Sequence, residues 1–167
     1  KGSKIAVINA LGRVFMQPLD SPWDVVKNEI ERLKDEADYV IVDFHAEATA
    51  EKLCFGRFLS ELGVSMMVGT HTHVQTADEQ IYKGMGYVTD AGFCGAVDSV
   101  IGMEFETSLK RLSTSLPERY EIAENPMAQV NGVEVLFNRT CATQIKRINL
   151  LLDNNENNKE VNLDTGG

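Results

Sequence analysis

The amino-acid sequence predicts an α/β protein with a layered sheet, because short apolar runs alternate with segments of helical periodicity. The apolar runs lie at residues 5–11, 39–42 and 64–68. Runs of this kind are typical of strands that are covered on both faces of a sheet. The chain has 167 residues, of which 43% are hydrophobic and 25% charged, and this balance is typical of a globular domain of ordinary size.

Two helices are predicted between these strands. Ser21 and Pro22 indicate the start of the first helix, with Ser21 as the N-cap and Pro22 at the first helical position. The apolar side chains of this helix recur on one face: Val25, Val26, Ile30 and Leu33. Residues 46–62 predict the second helix, which Gly63 ends.

The second half of the chain has a different pattern. Residues 84–102 are rich in glycine, and residues 87–88 form the one clear strand predicted among them. Residues 103–112 predict a third helix, and residues 145–152 predict a further strand. Strands therefore dominate the prediction after the third helix.

A two-residue β-hairpin is also predicted. Asn131 and Gly132 lie between residues 128–130 and 133–137, which both have a strand-like composition. Asn-Gly between two such runs favours a type I′ turn, since both central residues then adopt a positive φ. We therefore expect the chain to reverse at Asn131-Gly132.

Charge and cysteine content restrict the classes of function. The 25 acidic and 16 basic residues leave a formal net charge of −9, which argues against a basic face that coats nucleic acid. No segment approaches the roughly 18 apolar residues of a membrane-spanning helix. The three cysteines, Cys54, Cys94 and Cys141, have no Cys-x-x-Cys spacing and indicate reduced thiols in a cytoplasmic protein.

The three histidines of the chain follow predicted strands. His45 ends one apolar run, and His71 and His73 come just after another. The carboxyl ends of strands in open α/β sheets are where ligands bind. In an extended segment, residues two positions apart point to the same side, so His71 and His73 are expected to share one space. The pattern predicts a site for a divalent transition metal, with His45, His71 and His73 as ligands.

Carboxylates near these histidines are candidate outer partners that fix a histidine tautomer. They are Asp43, Glu47, Asp78, Asp90 and Asp98. A histidine at a strand end is also a common structural residue, but the spacing of His71 and His73 and the position of all three histidines at two similar strand ends favour the metal hypothesis.

The segments around the histidines resemble the YmdB-like metallophosphoesterases, which are bacterial members of the calcineurin-like superfamily. The resemblance extends from Ile5 to about Leu152, and the two histidine segments are its most specific part. It rests on residues 8–13, 42–52, 68–78, 87–92 and 98–103.

The resemblance implies a layered α-β-β-α sandwich and a two-metal centre, usually of iron or manganese, that hydrolyses small phosphodiesters. The implied substrates are cyclic nucleotides, the 2′,3′-cyclic ones in particular. Carried over by motif, His45 and His71 bind one metal and His73 the other. A homo-oligomer is compatible with the sequence, which leaves the oligomeric state open.

The resemblance also implies that this chain is the carboxyl-terminal portion of such a domain. The family has a Gly-Asp motif that supplies a bridging ligand and a Gly-Asn-His motif that supplies the catalytic histidine, and neither occurs here. We therefore expect residues 1–152 to form this portion, to contain no catalytic residue and to be inactive alone. Residues 153–167, rich in Asn, Asp and Glu, are expected to form a disordered polar tail.

Two other interpretations are compatible with the residues. In the first, His45, His71 and His73 hold a single zinc ion with an open position for water, as in other three-histidine hydrolytic sites. In the second, the chain is a binding or structural module without catalysis. Metal content separates the two-metal enzyme from the single-metal one.

Overall fold

The structure is a computed structural model that describes residues 2–153 and 160–162. The chain divides into two compact units. The first comprises Lys1–Gly92 and Val133–Arg147, and the second comprises Phe93–Gly132 and Ile148–Gly167. All three histidines belong to the first unit.

The first unit contains a five-stranded sheet in the order β1-β2-β3-β5-β4. Strands β1, β2, β3 and β5 are parallel, and β4 is antiparallel to β5. Two helices connect the first three strands, as the apolar runs and helical periodicity predict. The elements are β1 (Ile5–Leu11), α1 (Pro22–Leu33), β2 (Tyr39–His45), α2 (Thr49–Ser60), β3 (Met66–Thr70), β4 (Gln80–Tyr82) and β5 (Met85–Val88).

The core of the first unit lies between the sheet and its two helices. Phe44 of β2 and Phe55 of α2 are both fully buried, and their rings stack at 4.2 Å between centroids. Trp23 of α1 packs edge-on against Phe55, with 4.9 Å between the centroids. Helix α2 lies so close to β5 that a Cβ on Gly56 would come within 2.5 Å of the Tyr87 ring. Of the apolar face predicted for α1, Val26 and Ile30 are buried as predicted, whereas Val25 is exposed to solvent.

Helix α2 begins three residues later than predicted. The backbone N–H of Ala46 donates to the carbonyl of Thr70, and Ala46 is fully buried, so the chain after β2 still lies along β3. Ala48 then takes the extended conformation of an N-cap, and the helix begins at Thr49. At α1, Ser21 is the N-cap and Pro22 the first helical residue, as predicted, although the Ser21 side chain makes no capping hydrogen bond.

The remaining elements are β6 (Cys94–Ala96), α3 (Phe105–Thr114), β7 (Met127–Asn138), β8 (Cys141–Asp153) and β9 (Glu160–Asn162). The strands form a second sheet in the order β6-β7-β8-β9. The third helix is confirmed, with bounds shifted by two residues. Strands β4 and β6 are each three residues long and were not predicted.

The hairpin predicted at Asn131-Gly132 is wrong, because β7 runs without a break through both residues. Cys94 of β6 pairs with Val130, and the backbone N–H of Phe93 donates to the Asn131 side-chain carbonyl at 3.3 Å. These contacts keep Asn131 in the strand. The chain reverses instead after Asn138, where Arg139 has the positive φ of 55°.

Part of the predicted polar tail lies outside the described residues, namely 154–159 and 163–167. Asp153 ends β8, and Glu160–Asn162 form β9, which pairs antiparallel with β8. None of the helices in the described part of the chain is long and apolar enough to cross a membrane.

Candidate metal centre

Two of the three histidines meet at the carboxyl edge of the parallel sheet. His45 is the last residue of β2 and is in register with Leu11 of β1 and Thr70 of β3. His71 follows Thr70 directly. The Nε2 atom of His45 lies 2.9 Å from the Nδ1 atom of His71, and the rings are nearly perpendicular, at 88°. Strand register therefore brings together residues that are 26 positions apart in sequence.

A chain of hydrogen bonds across three strands orients the His45 ring. The Thr70 hydroxyl donates to Asp43 Oδ1 at 2.8 Å, and the Asn9 amide donates to Asp43 Oδ2 at 2.8 Å. Because the single hydroxyl proton of Thr70 goes to the carboxylate, Thr70 Oγ1 accepts from His45 Nδ1–H at 3.2 Å. This pattern assigns the neutral tautomer of His45 that has its Nε2 lone pair directed at His71.

Glu47 contacts the other nitrogen of the His71 ring. Its Oε2 atom lies 2.9 Å from His71 Nε2, in a partly exposed pair with side-chain exposures of 33% for His71 and 49% for Glu47. A carboxylate accepts an N–H, so Glu47 holds a proton on His71 Nε2. In the neutral ring, this leaves the lone pair of His71 on Nδ1, facing His45.

The environment of His45 favours its neutral form. Burial lowers the pKa of His45 from its ordinary value, and the positive charge that His71 carries when protonated lowers it further. A neutral imidazole has a free lone pair, which is the form that binds a metal.

The two facing nitrogens fit a cation. With His45 and His71 both neutral, two lone pairs would face each other over 2.9 Å and repel, so the pair needs either a shared proton on the line between the nitrogens or a metal ion off that line, towards which both rings would tilt. Nitrogens that share one tetrahedral zinc ion, at about 2.0–2.1 Å each, lie roughly 3.3 Å apart. The donor type and the tautomers therefore fit a divalent transition metal, and the two nitrogens would have to separate by a few tenths of an ångström to share one ion.

The extended conformation predicted for the segment from His71 to His73 is wrong. Residues 71 to 73 are not an extended segment, because His71 has a φ of 110° and His73 a φ of 63°. The positive charge that His73 carries when protonated is the smallest of the causes that act on the pKa of His45, and it lowers that pKa. Among residues 2–153 and 160–162, no group of three or more His, Cys, Asp or Glu side chains surrounds one point as a metal cage would. Glu47, for example, faces the far side of the His71 ring.

The five candidate outer carboxylates have different roles. Asp43 acts on His45 through Thr70, and Glu47 contacts His71 directly. Asp78 and Asp90 hold loops next to the histidines, and Asp98 belongs to the second unit.

A buried ion pair lies directly behind the histidine loop and was missed by sequence reasoning. Lys52 of α2 is fully buried, and its Nζ lies 2.9 Å from Asp90 Oδ2. A signal for it was available, since Lys52 occupies the same helical face as Phe55, Gly56 and Leu59. A lysine within an apolar stripe of a helix requires a buried partner.

Acidification is expected to weaken the fold through Asp78. Burial raises the pKa of this carboxyl, but hydrogen bonds from Thr76 and Thr89 outweigh burial, so its pKa lies below the ordinary value. Its stabilisation is therefore complete above the unfolded pKa of about 3.9 and is lost as the pH falls through the folded value. We expect Asp78→Asn to be less stable than the natural chain at neutral pH, with the difference shrinking on acidification. Urea unfolding across the acidic range measures this, and a difference that stays constant with pH would contradict it.

Three known proteins are similar to this chain over most of its length. The 2′,3′-cyclic-nucleotide 2′-phosphodiesterase of Bacillus subtilis (strain 168) is 47% identical over 124 residues, which are 74% of this chain and 47% of that protein. A hypothetical protein from Thermus thermophilus has a crystal structure that matches with a TM-score of 0.82 and 36% identity, over 90% of this chain and 58% of that one. A novel phosphatase from Mycoplasma pneumoniae matches with a TM-score of 0.77 and 38% identity, over 90% and 54%.

These relatives are longer than the chain, which spans about half the length of the curated proteins it matches. The segments that surround His45 and His71 lie within the region of similarity to the YmdB-like family, whose profile matches residues 1–148. By this match, the chain belongs to the YmdB-like protein family.

Proposed function

We propose that the chain forms the carboxyl-terminal part of a metal-dependent phosphodiesterase that acts on 2′,3′-cyclic nucleotides. The observation that carries this proposal is the His45–His71 pair, whose ring nitrogens face each other over 2.9 Å at the carboxyl edge of a parallel sheet. Membership of the YmdB-like family and the name of the Bacillus subtilis relative support the substrate class.

In this proposal His45 and His71 hold one divalent metal ion and His73 holds a second, with iron or manganese as the metals. When bound, the two ions lower the pKa of a water molecule to make a nucleophile and neutralise charge on the phosphodiester oxygens. Such ions also explain how a chain with a net charge of −9 attracts an anionic substrate.

The residues of this chain prepare the ligands. Asp43 and Thr70 keep the proton of His45 on Nδ1, so that the Nε2 lone pair is available. Glu47 does the same for His71 by holding its proton on Nε2. Both rings are thereby oriented before a metal arrives, and the ordering cost of binding is reduced.

We also propose that this chain does not catalyse efficiently alone. Three neutral imidazoles supply no anionic ligand that bridges two metal ions, and the resemblance implies that the bridging carboxylate and the catalytic histidine lie in the half of the relatives that this chain does not match. We expect that half to complete the α-β-β-α sandwich.

A chimera tests both parts of the proposal. The chain is joined to the half of the Bacillus subtilis relative that it does not match, and hydrolysis of 2′,3′-cyclic AMP is measured with excess Mn²⁺ for the chimera and for the chain alone. We expect turnover by the chimera only, with two metal ions per molecule by elemental analysis. Full turnover by the chain alone would refute the claim of incompleteness, and one metal ion per active chimera would favour the single-metal site.

A further inference from the structure

We propose that Asp90 and Lys52 are positioning residues, which hold the segment from His71 to His73 in the backbone conformation that brings His71 to His45. The inference deepens the proposed function and rests on it only for the identity of the bound ion. The positions of the two imidazole rings can be measured without any metal.

The segment needs an anchor because its backbone is strained. His71 has a φ of 110° and His73 a φ of 63°, so two of three consecutive residues lie where a Cβ is disfavoured. Such conformations persist only when surrounding contacts over-determine them. Thr72, the residue between the two histidines, is the place where an anchor would act on both.

Asp90 contacts Thr72 twice. Its Oδ2 atom accepts from the backbone N–H of Thr72 at 3.0 Å and from the Thr72 hydroxyl at 2.7 Å. The same oxygen accepts from Lys52 Nζ at 2.9 Å, and Oδ1 accepts from the backbone N–H of Gly92 at 2.9 Å. One carboxylate thus fixes the backbone and side chain of the residue between the two histidines.

The ion pair of Lys52 and Asp90, which holds Thr72, is itself fixed in position. The side chains of Lys52 and Asp90 are each 1% exposed, so neither can exchange its partner for water. The backbone N–H of Asp90 donates to the Thr76 hydroxyl at 2.9 Å, and the Asp90 carbonyl accepts from Thr76 N–H at 3.1 Å. Asp90 is therefore held by Lys52, Gly92 and Thr76 as well as by Thr72.

The end of β3 is held against the same backbone. The carbonyl of Gly69 accepts from the backbone N–H of Ala91 at 2.9 Å, and a Cβ on Gly69 would lie only 1.8 Å from the carbonyl oxygen of Thr89. This close approach sets where the chain leaves β3 for His71. The residues just before the loop and the residue inside it are thus tied to one segment, 89–92.

The ionised form of Asp90 is the one that can accept all four hydrogen bonds. Burial raises the pKa of Asp90, but hydrogen bonds from Gly92, Thr72 and Lys52 more than offset this, and its pKa lies below the ordinary value. A buried ion pair is weak evidence for stability, because desolvation cancels much of its attraction. Here its contacts point to a different role, which is to hold one loop in one conformation.

A pair of substitutions at Thr72 tests the proposal. Thr72→Val keeps the shape but removes the hydroxyl that donates to Asp90, and Thr72→Ser keeps the hydroxyl. Long-range ¹H–¹⁵N spectra of the histidine rings of the metal-free chain report the contact between His45 Nε2 and His71 Nδ1, and titration with Mn²⁺ reports ion affinity. We expect Thr72→Val to lose the spectral signature of the contact and to weaken Mn²⁺ binding by about 10-fold, which is the lower end of the range for loss of an outer partner of a ligand. We expect Thr72→Ser to behave as the natural chain.

A destabilising control in α1 separates positioning from general destabilisation. Val26→Ala removes buried volume from α1, which contacts β1. We expect it to lower the unfolding midpoint while leaving the histidine spectra unchanged. Asp90→Asn should disturb the spectra more than Thr72→Val; should it fail to fold, the two Thr72 variants decide alone.

The outcomes are distinct. Natural histidine spectra in Thr72→Val, or the same spectral loss in Val26→Ala, would overturn the proposed positioning role. If the natural chain gives the spectral contact but binds no Mn²⁺, the proposed metal site fails, whereas the Thr72 spectra still confirm or overturn the positioning role.

Discussion

Replacing His71 with alanine in the chimera is expected to lower kcat for 2′,3′-cyclic AMP by more than about 100-fold. Loss of an outer partner already costs roughly 10–100-fold in activity or metal affinity, and His71 is proposed as a direct ligand. The fold should persist, because the His71 side chain is one-third exposed and carries no core packing. Steady-state kinetics and elemental analysis of the purified variant measure the two effects.

Glu47→Gln provides a graded comparison for His71→Ala. It keeps the size of the side chain but removes the carboxylate that holds the proton on His71 Nε2. We expect a loss smaller than that of His71→Ala, within the 10–100-fold range of an outer partner. If His71→Ala instead melts the chimera and leaves metal content unchanged in the folded fraction, His71 is a structural residue and not a ligand.

Replacing Lys52 with methionine is expected to destabilise the chain by about 3–5 kcal/mol, because it leaves the Asp90 carboxylate buried without its cation. Methionine has nearly the shape of the lysine stem, so little packing is lost at a position that is fully buried. The hydrogen bonds from Thr72 and Gly92 remain and offset part of the cost. The free energy of unfolding in urea measures the loss.

Lys83→Met is the matched control, since Lys83 also pairs with a carboxylate but at the surface. The side chains of Lys83 and Glu61 are 66% and 60% exposed, and removal of such a pair costs under about 1 kcal/mol. The double substitution Lys52→Met with Asp90→Asn should recover part of the loss, because no unpaired charge then stays buried. A Lys52→Met variant no less stable than Lys83→Met would show that Asp90 tolerates burial without its cation.

Local patterns were sufficient for the elements that carry the histidines. The apolar runs near Ile8 and Val42 predicted β1 and β2, and the run before Val68 predicted β3. Parallel strands end at one edge of a sheet, so the convergence of His45 and His71 followed from their place after these strands. Hydrophobic periodicity and the Gly and Pro residues between elements indicate which residues a strand buries, and this information lies within short segments of the sequence.

Predictions from short sequence segments were wrong where contacts between distant residues determine the backbone conformation. Asn131-Gly132 has the composition of a tight turn, but pairing of its neighbours with β6 keeps it extended. The loop after β3 was predicted to be extended, although His71 and His73 both have a positive φ. Cys94, which pairs next to Asn131, and Asp90, which contacts Thr72, are both distant in sequence from the segments they contact.

The sequence by itself determined the α/β class, the strand that ends at His45, the strand that precedes His71, and the family to which the chain belongs. Only the tertiary structure decided which nitrogen of each ring faces the site and what holds the loop. These properties depend on hydrogen bonds between residues 18 to 38 positions apart, such as Thr70 with Asp43, Thr72 with Asp90 and Lys52 with Asp90. A periodic pattern encodes burial along one element, whereas a bond between two elements exists only once the sheet register has set both ends in place.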